Sequence, residues 1–147
     1  MSLLHPVIRP PSEAESFLLQ VTTGCSANGC AFCGAYLDKP FRIKPAEEID
    51  SDIESGAKAF PDARRVFLLD GDALAVGNAK LVPVLEFLKK KFPLFSRVSS
   101  YANGTNITRR TDAELSELCR HQLKLVYMGL ESGSQAVLDR CSKRSTV

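Results

Sequence analysis

Residues 65–101 read RVFLLDGDALAVGNAKLVPVLEFLKKKFPLFSRVSSY, and this stretch decides the fold. Arg65-Val66-Phe67-Leu68-Leu69 is a short apolar, partly β-branched run that ends at the turn signal Asp70-Gly71-Asp72, so it reads as a strand. Leu81, Val84, Leu85, Leu88 and Phe92 then recur at i, i+3, i+4 and i+7, the stripe of an amphipathic helix, with Pro83 placed in its first turn. Lys89-Lys90-Lys91 closes that helix where cations suit its dipole, and reads as a solvated helix end. Arg97-Val98-Ser99-Ser100-Tyr101 is a second strand. Strand, helix and strand in so short a span make a βαβ unit, which implies parallel strands and a right-handed crossover.

The same rhythm extends in both directions. Upstream, Phe17-Leu18-Leu19-Gln20-Val21-Thr22 reads as a strand. Pro45 opens a helix striped by Ile49, Ile53, Ala57 and Phe60. Downstream, Asn103-Gly104 reads as a turn, and Thr111 with Glu114 forms a capping box for a helix whose apolar side is Leu115, Leu118 and Cys119. Leu125 to Leu130 is a fourth strand, and Ser134 caps a last helix holding Val137, Leu138 and Cys141. The expected architecture is α/β: a partial TIM-type (β/α) barrel of about four βα units. Residues 1–15, broken by Pro6, Pro10 and Pro11, form an irregular N-terminal arm, and residues 16–147 the core. A full barrel needs about 250 residues. The expectation is therefore a piece of a longer barrel, or open sheet edges covered by a second copy of the chain.

Composition narrows the function classes. Of 147 residues, 44% are apolar and 24% charged, which suits one globular domain, and a formal charge of +2 gives no indication of nucleic-acid binding. No apolar stretch approaches the roughly 18 residues of a membrane span, and the N-terminus lacks a secretory pattern, so the expected location is cytoplasmic. In that setting, a cluster among five cysteines points to a metal or catalytic site before it points to disulfides.

That cluster is Cys25, Cys30 and Cys33, in the loop Thr23-Gly24-Cys25-Ser26-Ala27-Asn28-Gly29-Cys30-Ala31-Phe32-Cys33-Gly34. Thiolates are soft ligands that suit zinc and iron–sulfur clusters. A closed zinc site wants four ligands, and His5 and His121 lie far off in sequence. Three cysteines on a cubane leave one iron open. The spacing also matches the first three cysteines of a plant-type ferredoxin, whose fourth would have to be Cys119 or Cys141; on their helical stripes both read as buried thiols. An enzyme, an iron–sulfur electron carrier and a structural zinc module therefore all remain open on the cysteines alone.

Three motifs in order, each at a strand's carboxyl end, resemble the radical SAM superfamily. Its usual signature, C-x3-C-x-aromatic-C, is matched by Cys25, Cys30 and Cys33 with Phe32 as the aromatic, although the first gap here is four residues. Asp70-Gly71-Asp72 stands where the family often carries Gly-Gly-Glu-Pro, and taken alone it reads first as a plain βα turn. Gly129-Leu130-Glu131-Ser132-Gly133 resembles a Gly-Leu-Glu-Ser-Gly run of several subgroups. The resemblance implies a [4Fe–4S] cluster on Cys25, Cys30 and Cys33. It also implies S-adenosyl-L-methionine, an external one-electron donor and a substrate that the sequence does not identify. It further implies that Phe32 backs the adenine, that Asp70 or Asp72 pairs with the cofactor's ammonium beside Gly71, and that Glu131 and Ser132 address its ribose or amino-acid part. Ser100, polar at a strand end, joins the candidates.

Overall fold

The computed structural model describes residues 3–147; residues 1 and 2 of the expected arm lie outside the described residues. Four strands form one parallel sheet in the order β1-β4-β5-β6: β1 (Phe17–Leu19), β4 (Arg65–Leu68), β5 (Arg97–Tyr101) and β6 (Leu123–Tyr127). Between them run α1 (Ala46–Ala59), α2 (Asn78–Lys91), the short α3 (Gly104–Thr108) and α4 (Asp112–Arg120), and α5 (Gln135–Arg140) follows β6. This is the half-barrel the alternation implied.

The register explains the two faces of the sheet. Side chains alternate along a strand, and Val66 stands beside Phe17 and Val98, with Leu68 beside Leu19. Those residues share one buried cluster with Ile49 and Ile53 of α1, Leu81, Leu85 and Leu88 of α2, and Leu118 of α4. The helices thus cover one face. Phe67 and Ser99 are paired on the other face, as are Tyr101 and Tyr127. Phe67 meets both tyrosine rings edge-on, at 5.2 and 6.1 Å.

Several boundaries differ from the sequence reading. The first apolar run breaks after Leu19: Thr22–Thr23 is a separate strand, β2, antiparallel to β3 (Arg42–Ile43). This small ribbon ties the two ends of the cysteine loop together. Helix α2 begins at Asn78, where the Gly77 carbonyl accepts from Lys80 and Leu81, so Pro83 lies in the helix interior and not in its first turn. Asn103-Gly104 starts helix α3 instead of making a simple turn. Strand β6 stops at Tyr127 because its ladder partner β5 ends at Tyr101; Met128 and Leu130 are left exposed. The capping box at Thr111 forms in full, with Glu114 N–H donating to Thr111 Oγ1 and Thr111 N–H to Glu114 Oε2. Cys119 is exposed and Cys141 half-buried, against the expectation of buried thiols, because α4 turns Leu118 and not Cys119 toward the sheet.

Candidate functional site

The cysteine loop is seated on the carboxyl end of β4 by its backbone and by two aspartates. Gly71 N–H donates to the Gly24 carbonyl (2.9 Å), and Gly24 N–H donates to Asp70 Oδ2 (2.9 Å). Ser26 Oγ donates to Asp72 Oδ2 at 2.5 Å. Asn106 of α3 donates to the same oxygen, and Asn103 N–H reaches Asp72 Oδ1 at 3.3 Å. Glycine is required at two of these points. Gly24 has φ +69°, and a Cβ there would stand 2.3 Å from the Lys39 carbonyl oxygen. A Cβ on Gly71 would stand 2.8 Å from Cys25 Sγ. Farther along the loop, Asn28 donates to the Tyr36 carbonyl (2.6 Å) and Ala31 N–H to the Cys141 carbonyl (2.9 Å).

Cys25, Cys30 and Cys33 all line one cavity of about 290 Å³ at the carboxyl ends of the strands. That is near the lower end of the range for small-molecule sites, about 300–1,000 Å³. Loop residues Phe32 and Tyr36, Gly71 after β4, Tyr101 at the end of β5 with Ala102 and Asn103 beyond it, and Tyr127 at the end of β6 with Gly129 and Glu131 beyond it complete its wall, with Lys143 and Arg144 at the rim. The carboxyl ends of β4, β5 and β6 contribute together with the cysteine loop, where ligand sites in parallel α/β sheets gather.

Burial pushes the Cys25 thiol upward in pKa; the Ala27 amide partly opposes this, while Asp72 and the Cys30 and Cys33 sulfurs add to it. Burial and then the Asp70 charge raise the Tyr36 phenol as well. Among the described residues no three Cys, His, Asp or Glu side chains are gathered around a single-ion point. A cubane asks for something different, three thiolates spread around one group, and this donor set fits it: three soft ligands on one concave wall, the first seated directly on Gly71.

The other expected residues divide. Phe32, 53% exposed, and Gly71 line the cavity. Glu131 lines it too, at φ +62°, with its carboxylate held by Lys143 (2.8 Å). Asp70 and Asp72, expected to meet a cofactor ammonium, are both fully buried and committed to the chain itself: Asp70 to Lys39 (2.7 Å) and Gly24, Asp72 to Ser26, Asn103 and Asn106. Ser100 is buried, donates to its neighbour's carbonyl at Tyr101 (2.7 Å) and is not part of the cavity wall. Ser132 accepts from Ser134 N–H (3.0 Å) and lies outside the cavity wall. The reading from sequence missed Ile8, Tyr36, Tyr127, Lys143 and Arg144 as wall residues. Tyr127 carried a usable signal, an aromatic at the last position of a strand; the others carried none.

The family model described as "Radical SAM superfamily" matches residues 19–147. The chain belongs to the radical SAM superfamily. A search among curated proteins found no significant match. Among solved structures, the chain is similar to the crystal structure of BtrN in complex with AdoMet and 2-DOIA. The TM-score is 0.59 at 15% identity, over 90% of this chain and 55% of that one. At that identity the likeness speaks to the fold, and the chain spans about half the length of this neighbour. Membership of the superfamily implies a cluster and S-adenosylmethionine. Among the described residues, no helix is long and apolar enough to cross a membrane.

Proposed function

We propose that this chain carries the S-adenosylmethionine-cleaving centre of a radical enzyme, with Cys25, Cys30 and Cys33 as the three protein ligands of a [4Fe–4S] cluster. When bound, the cluster and S-adenosylmethionine would together supply one-electron cleavage of the sulfonium, giving a 5′-deoxyadenosyl radical for hydrogen abstraction from a substrate. The observation that carries the reading is the convergence of all three thiols on one cavity to which the carboxyl ends of β4, β5 and β6 contribute.

The chain's own residues have distinct work in this reading. Ser26, held by Asp72, and Gly24, held by Asp70 and Gly71, fix the loop's near limb so that the thiols face the cavity. Phe32, Tyr101 and Tyr127 give an apolar, aromatic wall suited to stacking an adenine and to excluding water, as radical chemistry requires. Gly71, lacking a Cβ, lets Cys25 itself pack directly over the backbone at the end of β4. Lys143 is occupied by Glu131 and the Gly129 carbonyl, while Arg144 at the rim offers a guanidinium suited to a carboxylate. In this reading Asp70 and Asp72 hold the cysteine loop, through Lys39 and Gly24 and through Ser26.

Anaerobic reconstitution with iron and sulfide tests this. The expected result is about four irons and four sulfides per chain, abolished in Cys30→Ala. A two-iron cluster would favour an electron carrier. Tight zinc with no cluster uptake would favour a structural module.

A further inference from the structure

The family match begins at residue 19, yet the segment before it is built into the site. Glu13, fully buried in a 3-10 turn (Pro11–Glu13), accepts from Ser16 Oγ (2.5 Å), Tyr127 Oη (2.8 Å) and Arg97 Nη2 (2.9 Å). This anchors one end of the arm on the sheet face that the helices leave open. Ile8 then lines the cavity. At the other end, Leu4 pairs with the buried Gln20 side chain through both its N–H and its carbonyl, each at 2.9 Å. Lys39, 6% exposed and on the cysteine loop, donates to the Leu4 carbonyl (2.5 Å) and the Pro6 carbonyl (3.2 Å), and meets both oxygens of Asp70 at 2.8 and 2.7 Å.

We propose that Lys39 is a positioning residue through which the N-terminal arm clamps the far limb of the cysteine loop to the end of β4, holding the three thiols on the cavity wall. Residues 24–41 contain no helix or strand, so fixed points must remove their conformational freedom. The near limb has several, at Gly24 and Ser26. The far limb, between Tyr36 and the ribbon strand β3, is held by Asn28 at the Tyr36 carbonyl, by Thr23 Oγ1 at the Pro40 carbonyl (3.0 Å), and by Lys39, which ties it to the arm: its three ammonium hydrogens are taken by two arm carbonyls and Asp70. The Asp70 carboxylate also receives Gly24 N–H, next to Cys25, so one buried ion pair joins both limbs and the arm. A buried pair of this kind is a weak source of stability compared with an apolar pair, and fixing one conformation is the better account of its presence. The clamp deepens the proposed function, because it arranges the thiols that would take the cluster, but it is a property of the cluster-free chain and can be tested there.

The test is hydrogen exchange by mass spectrometry on the full chain: wild type, Lys39→Met combined with Asp70→Asn, and Lys39→Arg. The double change removes both charges together, so neither is left buried alone. Amides of residues 3–8 and 24–41 should exchange on the order of tenfold faster in the double variant, with α1 and α2 unchanged, and Lys39→Arg should retain most of the protection. Unchanged exchange in the loop overturns the proposal. Should α1 and α2 also lose protection, Gln20→Leu decides, since it removes both of Leu4's bonds to the Gln20 amide and only the long 3.4 Å contacts of that amide to Asp70, leaving Lys39 on Asp70 and on the two arm carbonyls: loop and arm loosening together supports the clamp, and the arm loosening alone overturns it. Iron uptake, measured in parallel, separates the two claims. A wild type that shows the clamp but takes up no cluster contradicts the proposed function and leaves the clamp standing. A wild type that loads a cluster as fully as the double variant, with equal loop exchange, does the reverse.

Discussion

The two faces of the parallel sheet are made of the same strands and obey different rules. Toward the helices, Val66, Leu68 and Val98 meet Ile53, Leu85 and Leu88 in a wholly apolar layer with none of these residues measurably exposed beyond 1%. On the opposite face, Phe67 and two tyrosines share space with a buried glutamate and an arginine, and the strand ends open onto the cysteine-lined cavity. The helical face holds the fold through area removed from water. The open face uses hydrogen bonds to hold a loop and an arm in place, and its geometry tolerates little change.

The largest expected effect lies on the helical face. Leu85→Ala should lower unfolding stability by about 2–5 kcal/mol in chemical denaturation. It should leave the iron content per folded chain unchanged; a variant that stays folded but loses iron would break the separation of the two faces. Next comes Gly71→Ala on the site side. Its Cβ would meet Cys25 Sγ at 2.8 Å, so the loop must shift. A stability cost of about 1–3 kcal/mol is expected, together with loss of most cluster uptake measured as iron per chain. Full uptake would show that the seat of Cys25 does not matter.

Glu13 sharpens the comparison through pH. Burial pushes its pKa up, but the hydrogen bonds from Ser16 and Tyr127 and the Arg97 charge more than offset this, so the net shift is downward. A lowered folded pKa means stability that is fully present above the unfolded value, about 4.3, and lost as the pH falls through the folded value. Glu13→Gln should cost about 1–3 kcal/mol at pH 7 and flatten the acid limb of a stability–pH curve followed by denaturation. An unchanged acid limb would remove Glu13 from the account. The smallest effect is expected at the exposed Cys119: Cys119→Ser should change stability by less than about 0.5 kcal/mol and leave iron uptake intact. Lost uptake would make Cys119 a fourth ligand and favour the electron-carrier reading.

What the sequence disclosed follows this division. The helical face was legible because a period of 3.6 or 2 survives wherever a side chain is buried against an apolar layer, as at Leu81, Val84, Leu85 and Leu88. The three thiols were legible because few residue types bind soft metals. Asp70 and Asp72 were located correctly at a strand end, but their partners were not legible: hydrogen bonds to Ser26, Lys39 and a backbone amide arise from loops folding back across 31 to 46 positions. The ribbon of β2 and β3 hid for the same reason, being two residues per strand with partners 19 and 21 positions away. Glu13 shows the limit most sharply. An acid in a proline-rich arm gives no sign that it will be buried under an arginine.

The most direct measurement is the electron paramagnetic resonance spectrum of the reconstituted, reduced chain, recorded with and without S-adenosylmethionine. With three cysteine ligands and one iron corner free, adding S-adenosylmethionine should change the cluster signal, and Cys25→Ala should show neither signal nor change. A cluster signal that is indifferent to S-adenosylmethionine would mean that no corner is open to it, and would contradict the account.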